Sequence, residues 1–212
     1  MSWSSRSCWV LGLLLGAFGT GLGSERSQVV VWIFNYARID NGALARARTE
    51  AARILNRAGV EIGWVDCPVT AAEVDFYPGC VKLPEPMGLV LRIREGAAAT
   101  ALVRRSSIFG YSLLPNDGGF GTYADVYAGG ADLLAKGSDS LRAVILGHLM
   151  AHELGHLLLG TASHSVAGLM HIPWSGAELG SAAQGRLLFA REEANRMRAN
   201  LAARMRHRAG AQ

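Results

Sequence analysis

Between Gly147 and Trp174 the chain reads GHLMAHELGHLLLGTASHSVAGLMHIPW and holds five of its six histidines: His148, His152, His156, His164 and His171. At the centre, His152-Glu153-Leu154-Gly155-His156 lies inside an apolar run. Residues four apart share a face of a helix, so His152 and His156 stand one turn apart on a common side and can hold one metal ion. Ser138-Asp139-Ser140 supplies an N-cap and Gly160 a stop, which predicts a helix from about Leu141 to Leu159. Beyond Arg142 at its start, its strongly polar residues are His148, His152, Glu153 and His156. A helix apolar almost all round is buried, and polar groups buried with it need partners. The fold must therefore bury this helix, packed across a sheet, and still satisfy its histidines.

The chain before it offers the sheet. Gln28–Ile39 (QVVVWIFNYARI) is rich in β-branched and aromatic residues and reads as a strand. Asn41–Ala58 places Leu44, Ala51, Ile54 and Leu55 at helical spacing, and Gly59 ends the run. Val60–Val65 reads as a second strand and Gly88–Arg94 as a third, its apolar residues alternating at Leu89, Leu91 and Ile93. Ser107–Leu114 and Gly121–Tyr127, separated by a Pro-Asn-Asp-Gly-Gly turn, read as two antiparallel strands. Strand, helix, strand implies a crossover unit in a mixed sheet. A last helix is predicted over about 190–206, with Ala209–Gln212 frayed.

Half of the 212 residues are apolar, enough for a full hydrophobic core and too many for a disordered chain. Residues 1–23 carry Arg6, an apolar run from Cys8 to Phe18 and then small residues, which reads as a secretory signal peptide. The run falls short of the roughly 20 residues that span a bilayer. Residues 24–212 are read as a single exported domain, periplasmic if the source is a Gram-negative bacterium, with no membrane anchor after cleavage and a monomeric state. Export leaves Cys67 and Cys80 as an even pair in an oxidising compartment, and a disulfide between them would contribute roughly 3 kcal/mol. The net charge of +4 gathers in the last helix, where arginines alternate with Leu188, Met197, Leu201 and Met205. A solvated helix face explains it, and no nucleic-acid partner is expected.

A catalytic zinc ion typically takes three protein ligands and keeps one position for a water whose pKa it lowers. His152 and His156 would be two ligands. Glu153, about 100° further round the helix from His152, would face the water as its general base. The stretch HELGHLLLGTASHSVAGLM resembles the zinc-binding signature of the metzincin clan of metallopeptidases, and most nearly that of the matrixins: H-E-x-x-H-x-x-G-x-x-H, then a methionine in a tight turn. The resemblance implies one catalytic zinc held by His152, His156 and His164, Glu153 as base, Gly160 as the helix-ending glycine and Met170 as the Met-turn residue. It implies a metzincin-like α+β fold: a mixed, mostly parallel five-stranded sheet with an active-site helix and a C-terminal helix. Substrate peptides would lie along an edge strand through Ile108, Phe109, Gly110 and Tyr111, with Pro173 and Trp174 walling a specificity pocket.

This chain departs from the pattern in one place. Gly160 stands four residues after His156 and His164 eight, so the loop before the third histidine is two residues longer. His171, His148 and, as in gluzincins, a glutamate such as Glu178 are the alternative third ligands. The expected function is that of an exported zinc endopeptidase hydrolysing peptide bonds through a zinc-activated water. The alternatives are a zinc-bearing binding module without turnover, a gluzincin-type hydrolase, and a non-peptidic hydrolase.

Overall fold

The computed structural model describes residues 27–80, 87–95, 110–116 and 120–210. The leading segment read as a signal peptide lies outside the described residues, as do Ile108 and Phe109. The elements run β1 (Ser27–Asn35), α1 (Asn41–Arg57), β2 (Val60–Cys67), β3 (Gly88–Arg94), β4 (Gly110–Leu113), β5 (Tyr123–Tyr127), α2 (Ala128–Ala135), α3 (Asp139–Leu159), α4 (Gly176–Ala183) and α5 (Arg191–Gly210), with short 3-10 turns at Ala71–Phe76 and Pro78–Cys80.

The strands form one sheet in the order β2-β1-β3-β5-β4, parallel except for β4, which runs antiparallel along β5 and forms one edge. β1, α1 and β2 make the expected crossover. The alternation read in β3 sends Leu89, Leu91 and Ile93 to the core, where Val29, Val31 and Ile33 of β1 join them against α1 and α3. α1 begins at Asp40, whose carboxylate accepts the Ala43 N–H at 2.9 Å. It packs Leu44, Ala47, Ala51, Ile54 and Leu55 against the sheet and α3. α3 begins where Ser138 accepts the Leu141 N–H and ends at Gly160, in the left-handed conformation with φ 63°, a backbone that glycine adopts without steric cost.

Several boundaries differ from those read in the sequence. β1 stops at Asn35 rather than Ile39, because the chain turns there: the Asn35 side chain bridges to the backbone of Ile39 at both N–H and C=O, and Arg38 takes φ 51°. The last helix continues to Gly210 instead of fraying from Ala209. α2 and α4 were not foreseen. Cys67 and Cys80 are joined by a disulfide across the end of β2. Among the described residues no helix is long and apolar enough to cross a membrane.

Candidate metal centre

His152 and His156 rise from the buried face of α3, each 5% exposed. The His152 Nδ1 donates to the Leu169 carbonyl at 2.9 Å and the His156 Nδ1 to the Thr161 carbonyl at 2.8 Å. A carbonyl only accepts, so both rings carry their proton on Nδ1 and present a bare lone pair at Nε2. These two Nε2 atoms stand 3.1 Å apart, with no proton to share. Two nitrogens bound tetrahedrally to one zinc at about 2.0–2.1 Å sit about 3.3 Å apart, so the donor set fits that ion closely.

His164 completes the group. Its ring lies 5.4 Å from that of His152 and 4.9 Å from that of His156, and one ligating nitrogen from each of the three falls within 4.8 Å of the others. The two-residue-longer loop thus returns the third imidazole to the pair. Burial, helped by the charge of His156, pushes the His152 pKa down to about 3. Burial also lowers those of His156 and His164. All three are neutral at neutral pH, the form that binds a metal.

Glu153 lines the same cleft as this triad, on the side where β4 approaches. In the register of β4 with β5, Tyr111 and Leu113 point outward and are more than half exposed, so Gly110 and Ser112 point inward. The Ser112 hydroxyl donates to Glu153 Oε2 at 2.7 Å, with the Glu153 backbone carbonyl 2.9 Å away. Gly110 leaves room for the carboxyl group: a Cβ there would lie 2.5 Å from Glu153 Cγ, Cδ and Oε1. Burial raises the Glu153 pKa to about 7, the Ser112 hydrogen bond opposing and the charge of Asp125 adding to the rise. Sequence reasoning missed Ser112, because a strand serine carries no signal until the pairing register shows which way it faces.

The turn at Met170 packs against α3 at Gly155, and its Leu169 carbonyl accepts the His152 Nδ1–H. Gly168 takes φ 81°, the Leu169 N–H donates to the Leu188 carbonyl at 2.9 Å, and Met170 is fully buried. Gly155, between the two histidines in sequence, lets this turn approach: a Cβ would meet the Phe189 ring at 2.7 Å and Met170 Sδ at 2.9 Å.

The other candidates find different places. His148 is fully buried, its Nδ1 donating to the Val144 carbonyl at 2.8 Å and its Nε2 turned to Glu50 Oε1 at 3.6 Å, away from the triad. His171 donates from Nδ1 to the Ser165 carbonyl at 3.1 Å. Glu178 closes a capping box at the start of α4, where its Oε2 accepts the Ser175 N–H at 2.7 Å, so it sits outside the donor cluster. A cleft of about 170 Å³ opens over the triad and is lined by Gly110, Tyr111, Leu149, Ile172 and Trp174 among others. Trp174 is buried, its ring edge-on to those of His148 and His152. Pro173, joined to Ile172 by a cis peptide bond, is exposed and does not line this cleft.

No protein-family model matches the chain, and no curated protein matches it significantly. Among solved structures, archaemetzincin from Methanopyrus kandleri aligns with 85% of this chain and 99% of its own, at 17% identity and a TM-score of 0.51. The likeness is one of fold: the chain has a metzincin-like α+β architecture built on a five-stranded, mostly parallel sheet.

Proposed function

We propose that the chain is an exported zinc-dependent endopeptidase of the metzincin type, its mature domain beginning near residue 24. The observation that carries this reading is the convergence of three neutral imidazoles, two of them with Nε2 lone pairs locked 3.1 Å apart, beside a buried glutamate. The similarity in fold to archaemetzincin supports it, and the Cys67–Cys80 disulfide supports an oxidising compartment.

His152, His156 and His164 would hold the zinc, which when bound polarises the scissile carbonyl and acidifies water. Glu153 accepts the proton of the attacking water and returns it to the departing amine, a task suited to a carboxyl group with a pKa of about 7. Among the described residues β4 is an edge strand of the sheet, so an extended peptide can add to it through main-chain hydrogen bonds and bring its carbonyl over the triad. Glu153 argues against a pure binding module, which has no use for a base held beside the metal ligands.

Zinc content and peptide-library cleavage, measured on wild type and Glu153→Ala, test the proposal. Wild type should hold one zinc per chain and cleave, and Glu153→Ala should hold zinc without cleaving. A wild type without stoichiometric metal, or a Glu153→Ala protein that cleaves normally, would overturn it.

A further inference from the structure

His164 sits on a loop whose residues Ala162, Ser163 and His164 are all exposed, so packing alone does not fix it. Its two ends are pinned instead. At the near end, Thr161 donates its N–H to the His156 carbonyl and accepts the His156 Nδ1–H at its own. At the far end, Ser165 is tied through three different atoms. Its N–H donates to the Met170 carbonyl at 3.0 Å, its carbonyl accepts the His171 Nδ1–H at 3.1 Å, and its hydroxyl donates to Glu193 Oε1.

The first two bonds belong to the local turn. The third reaches the first turn of α5, 28 residues on. Glu193 is 9% exposed, and among the described residues no arginine or lysine pairs with it. Its charge rests on two hydrogen bonds, from the Ser165 hydroxyl to Oε1 and from the Ala190 N–H to Oε2 at 2.7 Å, and on the positive end of the α5 dipole. A buried carboxylate held in this way is a rigid acceptor. The residue next to His164 is thereby clasped to the C-terminal helix, which itself packs on α3, the helix that carries His152 and His156.

We propose that Glu193, acting through Ser165, is a positioning residue for His164: the clasp sets the third imidazole against the pair on α3 and so tunes the affinity of the site for its metal. This rests on the metal-site reading above. The plainer role of Glu193, capping α5, resides in the bond from Ala190, which Ser165→Ala leaves intact.

The test is zinc affinity, measured by competition with a chromophoric chelator on EDTA-treated protein. Ser165→Ala should raise the zinc Kd by about 10–100-fold, the usual effect of removing a hydrogen bond that orients a ligand. Ser165→Thr, which keeps the hydroxyl, should stay near wild type. Combining Ser165→Ala with Glu193→Ala should cost no more zinc affinity than the more damaging of the two alone, because the pair acts as one unit. In a His164→Ala background, Ser165→Ala should have no further effect, since the histidine it positions is gone. An unchanged Kd in Ser165→Ala, or an equal loss with and without His164, overturns the clasp while leaving the metal site standing. Wild type that binds no zinc overturns the proposed function and the clasp with it.

Discussion

Replacing Gly110 by alanine should cripple turnover while leaving the metal in place. The methyl group would come within 2.5 Å of Glu153 Cγ, Cδ and Oε1. Contacting carbon atoms sit about 3.5–4.0 Å apart, so something must retreat by roughly 1 Å. β4 is laddered to β5, and α3 is buried across the sheet. The Glu153 carboxyl group, held by the Ser112 hydroxyl, is the part that moves. Misplacing a proton-transferring group by about 1 Å costs on the order of 100-fold in rate, or about 3 kcal/mol of barrier. Crowding adds about 1–3 kcal/mol of lost stability. The three atoms met first all belong to Glu153 and none to a histidine, so zinc affinity should hold. The assay is kcat and KM on a peptide selected from a library, with zinc content and urea unfolding measured on the same preparation. A folded, zinc-loaded Gly110→Ala protein with wild-type kcat would refute the idea that β4 seats the base.

Ser112→Ala should lower kcat by about tenfold with little change in KM, and Ser112→Thr should restore it; a change in KM alone would point to substrate binding instead. Metal-free stability should carry the signature of Glu153: its folded pKa of about 7 exceeds the ordinary 4.5, so the folded state binds the proton more tightly and loses stability as pH rises through that window, by about 3 kcal/mol. Urea unfolding of EDTA-treated Glu153→Gln should therefore show it more stable than wild type at pH 8, the gap closing toward pH 4, and equal stability at pH 8 would contradict the raised pKa. His152 acts in the opposite sense, its depressed pKa removing stability as pH falls from 6.5 toward 3 in both proteins. Arg204 is 2% exposed and donates to the Leu157 carbonyl at 2.7 Å and the Gly121 carbonyl at 3.1 Å, so Arg204→Leu should cost about 1–3 kcal/mol for each acceptor left bare, read by urea unfolding.

The helix that carries the site was legible because polar residues inside an apolar run demand a reason, β1 because it is rich in β-branched and aromatic residues, and β3 because its apolar residues alternate at Leu89, Leu91 and Ile93. β4 was harder to read: its larger apolar residues, Tyr111 and Leu113, face outward, while Gly110 and Ser112 face the glutamate. The cleft over the three histidines takes the place of the core on its inner side. α2 was hidden by Gly129 and Gly130, poor helix formers, and forms because Ala128, Gly130, Ala131 and Ala135 bury against the rest of the molecule. α4 carried a readable signal, Ser175 followed three residues later by Glu178, the pattern of a capping box. The Ser165–Glu193 clasp could not be read at all, since it joins residues far apart in sequence through two common side chains.

The most direct measurement of the central claim is zinc K-edge X-ray absorption on the zinc-loaded protein. Three imidazole nitrogens at about 2.0–2.1 Å with one further light ligand are expected, and no sulfur. A first shell with only two imidazoles, or one dominated by carboxylate oxygen, would contradict the assignment of His152, His156 and His164 to a single metal.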